Sequence, residues 1–446
     1  MKRIFSDHAY GPAPVSGNYW AETVPDTALE RAPAIGEIRA DVAVVGAGFT
    51  GLSAALHLAQ AGTDVVVIDA QHPGWGASGR NGGFCCLGGA KADDSMLRRT
   101  FGEDARADWR RTEADAIDLV ADLLESHDIS ADTHSKGETL LAHSPAAMRA
   151  IETEAQTITR DYGVDPTVHD AGDLDRLGMS GPFHGGITLP IGFALNPRKY
   201  LAGLLAAAET AGARIHGRSP VTNIAADGDY QALTLPKGRI LARRLVLATN
   251  GYSSEDVPGW MAGRYMPAQS NVLVTRPLTE TEKQAAGWTS AQMAFDSRFL
   301  LHYFRLMPDN RFLFGRRGGL MSSPRADAGA IRTTRQHFET MFPAWADVES
   351  PHNWSGMVCL SGGLVPYCGP IPGLPNAYAG FAYHGNGVAM GSYAGALLAD
   401  LALGRTPGRR YPAIMRAPAK RFPLGRFRRA IMPAIYAMAG VRDRLS

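Results

Sequence analysis

The stretch Asp41–Ala70, DVAVVGAGFTGLSAALHLAQAGTDVVVIDA, decides the fold of this chain. Asp41–Val45 is a short apolar run before glycines, which predicts a buried parallel strand. Thr50 to Ala61 repeats apolar residues at helical spacing, and Asp64–Ala70 predicts a second buried strand. Strand, helix and strand within about 30 residues make one βαβ unit.

The turn between the strand and the helix, Gly46–Gly51, has the pattern G-x-G-x-x-G, and Asp69 stands at the end of the next strand. Gly46 permits the tight turn, Gly48 lets the backbone approach a pyrophosphate, and Gly51 lets the helix pack close to the strand. The free N–H groups of the helix N-terminus then face the phosphates. Asp69 is expected to accept hydrogen bonds from the adenosine ribose and to repel a 2′-phosphate. The pattern therefore predicts a Rossmann-type dinucleotide site and disfavours NADP.

The loop that follows, Gly74–Gly83 (GWGASGRNGG), favours FAD over NAD. A bare NAD domain needs no glycine-rich loop at this point, whereas Ser78 and Arg80 can contact the pyrophosphate and backbone donors can reach the isoalloxazine. The alternative is a flexible surface linker, but Trp75 and Arg80 are unusual residues for a linker. The loop therefore predicts FAD as the cofactor.

Two later segments are expected to return to the same face of the sheet. Leu245–Tyr252 is a buried strand that ends in a turn of small residues, and the backbone of Val221 is expected to meet the adenine. Tyr383–Val388 is a glycine-rich turn that opens the last long helix, whose start would stabilise negative charge on the reduced flavin ring. An ordinary strand–helix turn is the alternative there. The expected cofactor contacts are Gly46, Gly48, Phe49, Thr50, Gly51, Asp69, Ala70, Gly76, Ala77, Ser78, Gly79, Arg80, Asn81, Gly82, Gly83, Val221, Ala248, Thr249, Asn250, Gly251, His384, Gly385, Asn386, Gly387 and Val388.

Composition excludes several classes of protein. The chain has 446 residues with 45 basic and 43 acidic side chains, and a net charge of +2 does not suggest nucleic-acid binding. Cys85, Cys86, Cys359 and Cys368 match neither a zinc spacing nor a disulfide framework, so we expect no metal site. The first residues lack the apolar core of a signal peptide, which predicts a cytoplasmic protein. Val42–Thr63 carries no charge and is long enough to span a bilayer, but its glycines favour a buried strand and helix.

These elements, in this order, resemble the D-amino-acid oxidase superfamily of FAD-dependent oxidoreductases, which includes glycine and sarcosine oxidases. The resemblance spans roughly residues 18–430. Within it, NYW (Asn18–Trp20) and the loop GWGASGRNGG are most similar to the gamma-glutamylputrescine oxidase branch. So are HYFRL (His302–Leu306) with FLFG (Phe312–Gly315), and WSGM (Trp354–Met357).

The resemblance implies an α/β fold in two parts. One is a discontinuous Rossmann-type FAD-binding domain, and the other is an α+β substrate domain built on a mixed, largely antiparallel sheet. The implied division is an N-terminal arm at 1–36, an FAD-binding domain at 37–115, 195–265 and 350–415, a substrate domain at 116–194 and 266–349, and a basic tail at 416–446.

The resemblance also implies oxidation of a C–N bond in an amine or amino acid of the gamma-glutamylputrescine, N-methyl or D-amino-acid type. Hydride would pass to flavin N5, water would hydrolyse the imine, and O₂ would reoxidise the flavin to give H₂O₂. A dehydrogenase of the same fold that reduces a quinone or carrier is one alternative, and a flavin-binding protein without turnover is another. The cysteine that bonds the flavin in sarcosine oxidases falls at Gly356, three residues before Cys359, so we expect non-covalent FAD.

Three segments that depart from the branch pattern are expected near the flavin, so the sequence leaves open a substrate other than gamma-glutamylputrescine. The branch often has D-R-x-P where this chain has Gly363–Pro366, and Gln where Phe84–Cys86 follow the loop. The last turn often has G-x-S-G-H-G, whereas this chain has Ala382–Gly387. Sarcosine oxidases also carry a lysine near N5 that promotes reaction with O₂, and Leu313 falls at that position.

Three side chains are expected at the substrate. Tyr303 and Arg305 share one face of an alternating strand, and Arg305 is expected to hold a carboxylate bidentately. The alternative is a surface arginine beside a core tyrosine. His384 is expected to face the flavin and to supply positive charge for O₂ below about pH 6.5 if its pKa is unperturbed, although a structural role is the alternative. Trp354 and Phe84 are expected either as apolar walls or as core residues.

The segment after Gly404 holds 11 basic residues and one acid, Asp443. Arg416–Arg429 with the apolar Ile431–Ala439 would suit contact with an anionic membrane surface. Prolines at 418, 423 and 433 interrupt a long helix, so we favour a tail that wraps the domain with its charges solvated.

Overall fold

The computed structural model describes residues 1–445, so Ser446 of the predicted tail lies outside the described residues, as do the side chains at 439, 442, 444 and 445. The strands are β1 Gly36–Val45, β2 Val65–Ile68, β3 Phe84–Cys85, β4 Glu138–Leu141, β5 Thr167–His169, β6 Gly186–Leu189, β7 Phe193–Ala194, β8 Arg214–His216, β9 Asn223–Asp227, β10 Tyr230–Leu235, β11 Gly238–Leu247, β12 Tyr265–Val274, β13 Met293–Asp296, β14 His302–Leu306, β15 Phe312–Arg317, β16 His352–Ser361, β17 Tyr367–Pro370 and β18 Ala377–Phe381. The helices are α1 Trp20–Thr23, α2 Asp26–Leu29, α3 Phe49–Gln60, α4 Asp94–Phe101, α5 Glu103–Ser126, α6 Pro145–Tyr162, α7 Ala171–Arg176, α8 Pro197–Thr210, α9 Glu280–Ala286, α10 Pro324–Met341, α11 Ala389–Ala402, α12 Ala413–Arg416 and α13 Met432–Leu445.

The first sheet has the order β17-β18-β11-β1-β2-β8, with the hairpin β9–β10 added antiparallel on β11. Its central pairs β11–β1, β1–β2, β2–β8 and β11–β18 are parallel, and β17 runs antiparallel at the edge. All four residues of β2 are buried, as expected of a strand covered on both faces. This is the predicted Rossmann-type sheet, and the apolar run Val42–Thr63 forms its first strand and helix rather than a membrane span.

Helices α3, α5, α8 and α11 pack together on one face of this sheet. A Cβ at Gly395 of α11 would lie 2.7 Å from the Cβ of Ser53 on α3, so only glycine allows these two helices to approach so closely. The close approach brings the start of α11 beside the start of α3.

The second sheet has the order β16-β12-β15-β14-β13-β4-β6-β5. Its pairs are antiparallel except β13–β4, which makes it the mixed, largely antiparallel sheet that was predicted. Below it α9 and α10 enclose an aromatic core that includes Trp288, Phe304, Phe312, Phe338 and Trp345. The predicted fold class is therefore confirmed.

Three local features differ from the expectations. The sequence of Arg214–Ile224 predicts one strand, but the structure has two, β8 and β9, because the chain turns at Gly217 and takes a positive φ of 48° at Arg218. Residues 1–37 are rich in proline and lack periodicity, which predicts an arm that runs over the surface, but Trp20 is 2% exposed and Leu29 is fully buried. Strand β16, within the predicted FAD segment 350–415, pairs in the second sheet, and the domain boundaries stay a prediction.

The basic tail makes buried contacts with the rest of the protein, unlike a tail that covers the domain with all its charges in solvent. Arg428 is buried, donates from Nε to the Tyr265 carbonyl at 2.8 Å, and forms an ion pair of 2.6 Å with Glu255. The prediction that the charges of the tail stay solvated is wrong at this residue.

Within residues 1–445, we find no helix with the length and apolar character that a membrane crossing requires.

Candidate FAD and substrate site

One cavity follows the carboxyl ends of β1, β2 and β11 and continues to the second sheet. The expected residues in its wall are Gly46, Gly48, Phe49, Thr50, Asp69, Ala70, Gly76, Ala77, Ser78, Arg80, Asn81, Gly82, Val221, Ala248, Thr249, Asn250, Tyr303, His384, Gly385, Asn386, Gly387 and Val388. Gly51, Gly79, Gly83, Gly251 and Arg305 do not form part of this wall. The ends of parallel strands are where open α/β sheets bind ligands.

The glycine turn leaves room for a ligand only because it carries no side chains. Gly46 has a φ of 103°, and a Cβ there would lie 2.8 Å from the Ala248 carbonyl oxygen. A Cβ at Gly48 would lie 2.8 Å from Ser78 Oγ, which itself accepts a hydrogen bond of 3.0 Å from the Phe49 N–H. Gly51 lies against the Gly46 carbonyl, where any side chain would collide. The passage between the turn and the loop therefore suits a pyrophosphate.

Asp69 already holds this turn in place. Its carboxylate accepts hydrogen bonds from the backbone N–H groups of Ala47 at 2.8 Å and Gln71 at 2.9 Å. Loss of solvent contact outweighs these bonds and raises the pKa of Asp69 to about 6. A carboxylate on the cavity wall with remaining acceptor capacity is suited to ribose hydroxyls.

The loop Gly74–Gly83 is tied down from distant parts of the chain. Asn18 Nδ2 donates to the Gly79 carbonyl at 2.9 Å, and Trp20 Nε1 donates to the Asn81 carbonyl at 2.8 Å. Trp354 Nε1 donates to the Arg80 carbonyl at 2.7 Å. The loop is therefore a rigid wall rather than a linker, and Trp354 acts from behind it instead of lining the cavity.

Arg80 braces this loop from within. Its Nε donates to the carbonyl oxygens of Trp75 at 3.0 Å and Gly76 at 3.1 Å, and Nη1 donates to the Ser355 carbonyl at 3.3 Å. The guanidinium lies 4.3 Å from the centre of the Trp75 ring. These donors are directed at the protein backbone, so a pyrophosphate contact would use the remaining edge of the guanidinium.

Tyr303 forms part of the cavity wall where the second sheet meets the loop. Its ring lies over Gly315, its register partner, where a Cβ would collide with the ring. The hydroxyl is 3.0 Å from Ser270 Oγ, and the ring meets Phe84 edge-on with centroids 5.5 Å apart. Tyr303 and Phe84 thus supply an apolar wall with one polar tip.

The expected position of Arg305 in the substrate pocket is wrong. Its Nη2 donates to the Leu195 carbonyl at 2.7 Å, and Nη1 donates to His134 Nε2 at 3.2 Å. The guanidinium lies 5.6 Å from the Trp20 ring centre and 5.7 Å from that of Phe84. Arg305 is fully enclosed behind the loop, because the N-terminal arm covers its end of β14.

His384 lies in the cavity wall as expected, but not as a cation. It is 1% exposed, and its Nε2 is 3.3 Å from Ser361 Oγ. Burial, with the nearby charges of Lys91 and Arg317, lowers the pKa of His384 to about 3. The expectation of a protonated histidine near pH 6.5 is therefore wrong, and His384 is neutral at physiological pH.

The positive charge beside His384 comes from Lys91 and Arg317, which sequence reasoning missed. Arg317 ends β15 and lies against Gly385, where a Cβ would collide with Nη2. The alternation that places Leu313 and Gly315 on one face also places Arg317 there, and this signal could have identified it. Lys91 lies in an irregular segment with no motif, so no sequence signal marks it.

Two thiols and part of the N-terminal arm also reach the cavity. Cys86 Sγ accepts a hydrogen bond of 3.3 Å from Asn386 Nδ2, and burial raises the pKa of this thiol. Burial raises the pKa of Cys359 to about 12, so this thiol stays protonated. Met1, Arg3 and Tyr10 line the cavity as well, although the arm was expected to run over the surface.

The cavity fits FAD in its chemistry. The glycine turn has no side chain in the pyrophosphate path, Asp69 offers carboxylate oxygens, and the start of α11 meets the same cavity. Among the described residues, no group of three or more His, Cys, Asp or Glu side chains is placed to hold a metal ion.

Comparison with known proteins agrees with this geometry. Residues 41–401 match the DAO family, described as FAD dependent oxidoreductase. The gamma-glutamylputrescine oxidoreductase of Escherichia coli (strain K12) is 30% identical over 92% of this chain and 94% of that protein. A Rhizobium meliloti (strain 1021) protein named "Probable oxidoreductase OrdL" is 33% identical over 97% of this chain and 99% of that protein.

Solved structures share the fold. Glycine oxidase from Geobacillus kaustophilus aligns with a TM-score of 0.70 over 85% of this chain and 99% of its own, at 20% identity. Iminodiacetate oxidase from Chelativorans sp. BNC1 aligns with a TM-score of 0.67 over 82% of this chain and 96% of its own, also at 20% identity. The predicted family and the predicted cofactor are confirmed, and this chain belongs to the DAO family of FAD-dependent oxidoreductases.

Proposed function

We propose that this protein oxidises a C–N bond in an amine or amino acid to an imine, which water hydrolyses, with O₂ as the electron acceptor and H₂O₂ as the product. Bound FAD would supply the redox chemistry, with its N5 as the acceptor of a hydride from the substrate carbon. The observation that supports the proposal most is that the expected cofactor residues share one cavity with Tyr303 and Arg317 of the second sheet. The name of the Escherichia coli relative, gamma-glutamylputrescine oxidoreductase, supports an amine substrate.

In this proposal the first sheet holds the cofactor. Gly46 and Gly48 would admit the pyrophosphate, Asp69 would accept hydrogen bonds from the ribose, and the start of α11 would direct its N–H groups toward the ring. The other expected contacts that line the cavity keep the roles assigned from the sequence, and the proposed domains keep the predicted boundaries. We also retain the cytoplasm as the proposed location.

The second sheet is proposed to position the substrate. The rings of Phe84 and Tyr303 and the side chain of Val272 form an apolar wall that excludes water from the reacting carbon. The Tyr303 hydroxyl, held 3.0 Å from Ser270 Oγ, offers a hydrogen bond to the substrate. Arg317 offers guanidinium donors to a carboxylate, in the role first expected of Arg305.

Anaerobic mixing of the purified holoenzyme with amines, N-methyl amino acids and D-amino acids tests the proposal. The flavin absorbance near 450 nm is expected to bleach with at least one compound, and mixing with O₂ is then expected to restore it with release of H₂O₂. Bleaching that only a quinone reverses would replace O₂ by another acceptor. A flavin that no compound bleaches would contradict the proposed oxidation.

A further inference from the structure

Two cations that line the cavity beside His384 have no ion-pair partner among the described side chains. Among the described side chains, neither the Arg317 guanidinium nor the Lys91 ammonium takes part in a hydrogen bond or an ion pair, although Lys91 Nζ lies 6.0 Å from the centre of the Phe299 ring. Other arginines of the chain differ, since Arg298 pairs with Asp296 at 2.5 Å and Arg428 pairs with Glu255 at 2.6 Å. The two free cations are therefore available to a ligand.

Strand pairing and backbone hydrogen bonds fix the positions of Arg317 and Lys91. Arg317 is the last residue of β15, opposite Ser270, and its backbone N–H donates to the Leu301 carbonyl at 3.2 Å. Its guanidinium is pressed against Gly385, so it cannot swing through the turn before α11. The backbone N–H of Lys91 donates at 2.8 Å to the carbonyl of Leu364.

Among the described residues, no carboxylate of the surrounding elements forms an ion pair with Arg317 or Lys91. Glu138 lies behind the cavity and accepts from the Leu87 N–H at 3.0 Å, and burial raises its pKa to about 8. Asp296 is held by Arg298 and by His302, whose Nδ1 is 2.7 Å away. Asp443 of α13 accepts from the Phe299 N–H at 2.9 Å. The substrate end therefore carries two uncompensated positive charges.

We propose that the substrate is an amine that carries two acidic groups, and that Arg317 and Lys91 each bind one of them. This inference rests on the proposed oxidation of an amine and names the class of amine. Like charges that share one cavity repel each other, and removing each from water is costly unless an anion compensates it. A diacid satisfies both cations by charge-assisted hydrogen bonds, whereas a monoacid leaves one unpaired.

Binding of acids that lack an amine tests this directly on the holoenzyme. Glutarate and its monomethyl ester have nearly the same shape and differ by one charge. Flavin absorbance changes and calorimetry would give both dissociation constants at pH 7. We expect glutarate to bind about tenfold more tightly or better, because one charged contact in a desolvated site is worth that much.

Two variants test whether Arg317 and Lys91 cause the preference for glutarate over its monoester, and two further variants serve as matched controls. Arg317→Met and Lys91→Met are each expected to weaken glutarate binding about tenfold and to abolish its advantage over the monoester. Arg149→Met and Lys237→Met remove exposed charges of the same kinds and are expected to change neither constant. FAD content and melting temperature, measured for all four, show whether each variant is folded.

Several outcomes would overturn the inference. Equal affinity for glutarate and the monoester in the wild type would do so. The inference also fails if Arg317→Met or Lys91→Met keeps the wild-type ratio of the two dissociation constants, monoester to glutarate. One such case is a Lys91→Met variant that shifts the flavin reduction potential and leaves this ratio unchanged. That last result would mean that Lys91 serves the cofactor instead of the substrate.

The same preparations separate this inference from the proposed function. If amines with one carboxylate reduce the flavin as fast as aminodicarboxylates do, the oxidation stands and the diacid inference fails. If glutarate binds with the expected preference while no amine reduces the flavin, the oxidation fails although the two-cation site exists.

Discussion

The carboxylate of Asp69 accepts a hydrogen bond of 2.8 Å from the backbone N–H of Ala47 and so ties the end of β2 to the glycine turn after β1. The residue expected to hold the ribose therefore also shapes the passage for the pyrophosphate. Its pKa of about 6 makes both tasks sensitive to pH, since only the ionised carboxyl has full acceptor capacity.

FAD affinity is expected to fall as the pH drops below about 6, by up to tenfold per pH unit, because the ribose hydroxyls favour the ionised form of Asp69. The raised pKa also means that the FAD-free fold binds this proton more tightly than the unfolded chain. The free energy of unfolding without FAD should thus decrease as the pH rises from 3.8 to about 6. Titration of FAD-free protein with FAD between pH 5 and 8 measures how FAD affinity depends on pH. Asp69→Asn should remove this dependence.

Gly48→Val is expected to yield a folded protein that is purified without FAD. A Cβ at this position already lies 2.8 Å from Ser78 Oγ, and the branched side chain would fill the pyrophosphate path. Gly408→Val, at a position with open space around it, is the matched control and should keep its flavin. Flavin absorbance per protein gives the answer, and a normal ratio in Gly48→Val would place the cofactor elsewhere.

The flavin is expected to be non-covalent. Gly356 and Cys359 both line the cavity, but burial raises the pKa of the Cys359 thiol to about 12, which leaves little thiolate to form a bond. Acid precipitation should release all the yellow colour into the supernatant. Colour that stays with the pellet of the wild type and is lost in Cys359→Ser would contradict this expectation.

Arg305→Met is expected to leave acid binding within about twofold of the wild type and to destabilise the protein by about 1–3 kcal/mol, because the Leu195 carbonyl loses its buried donor. Arg317→Met should behave in the opposite way, with weaker acid binding and little loss of stability. Urea unfolding of the two variants beside glutarate titrations separates the roles. Weaker binding in Arg305→Met alone would restore the original assignment.

Diacid affinity is expected to be constant below about pH 8 and to fall above it. Desolvation and the charge of Arg317 lower the pKa of Lys91 to about 8, and the ammonium is the form that binds an anion. Bound diacid should in turn raise this pKa, so a saturating concentration of diacid keeps the site occupied to higher pH. Glutarate titrations across pH 6 to 9.5 measure the fall, and Lys91→Met should abolish it.

The neighbouring titratable groups allow a control for this pH effect. Burial raises the pKa of the Cys86 thiol and of Tyr303, and His384 is already neutral. Only Glu138, with a pKa of about 8, is expected to titrate with Lys91 in this interval. Glu138→Gln should therefore keep the fall in affinity. If it removes the fall, the assignment to Lys91 is wrong.

The βαβ unit, the glycine turn and the FAD cofactor followed from the sequence because each depends on local chemistry. Apolar runs of strand length, helical spacing and glycines at fixed offsets specify Asp41–Ala70 without any distant contact. The break between β8 and β9 was missed although Gly217, Ser219 and Pro220 are residues that favour turns, and the positive φ at Arg218 makes the turn there.

The substrate end was decided only by tertiary structure. Alternation correctly places Tyr303 and Arg305 on one face of β14, but they lie about 7 Å apart along the strand, and alternation cannot say which end reaches the cavity. The arm carrying Trp20 closes over Arg305, while the antiparallel register sets Arg317 beyond Tyr303, at the open end. Lys91 and Arg317 meet because the end of a strand and an irregular segment some 220 residues apart fold onto one cavity. Such long-range contacts leave no periodic signal in a sequence, since they depend on how the two sheets pack.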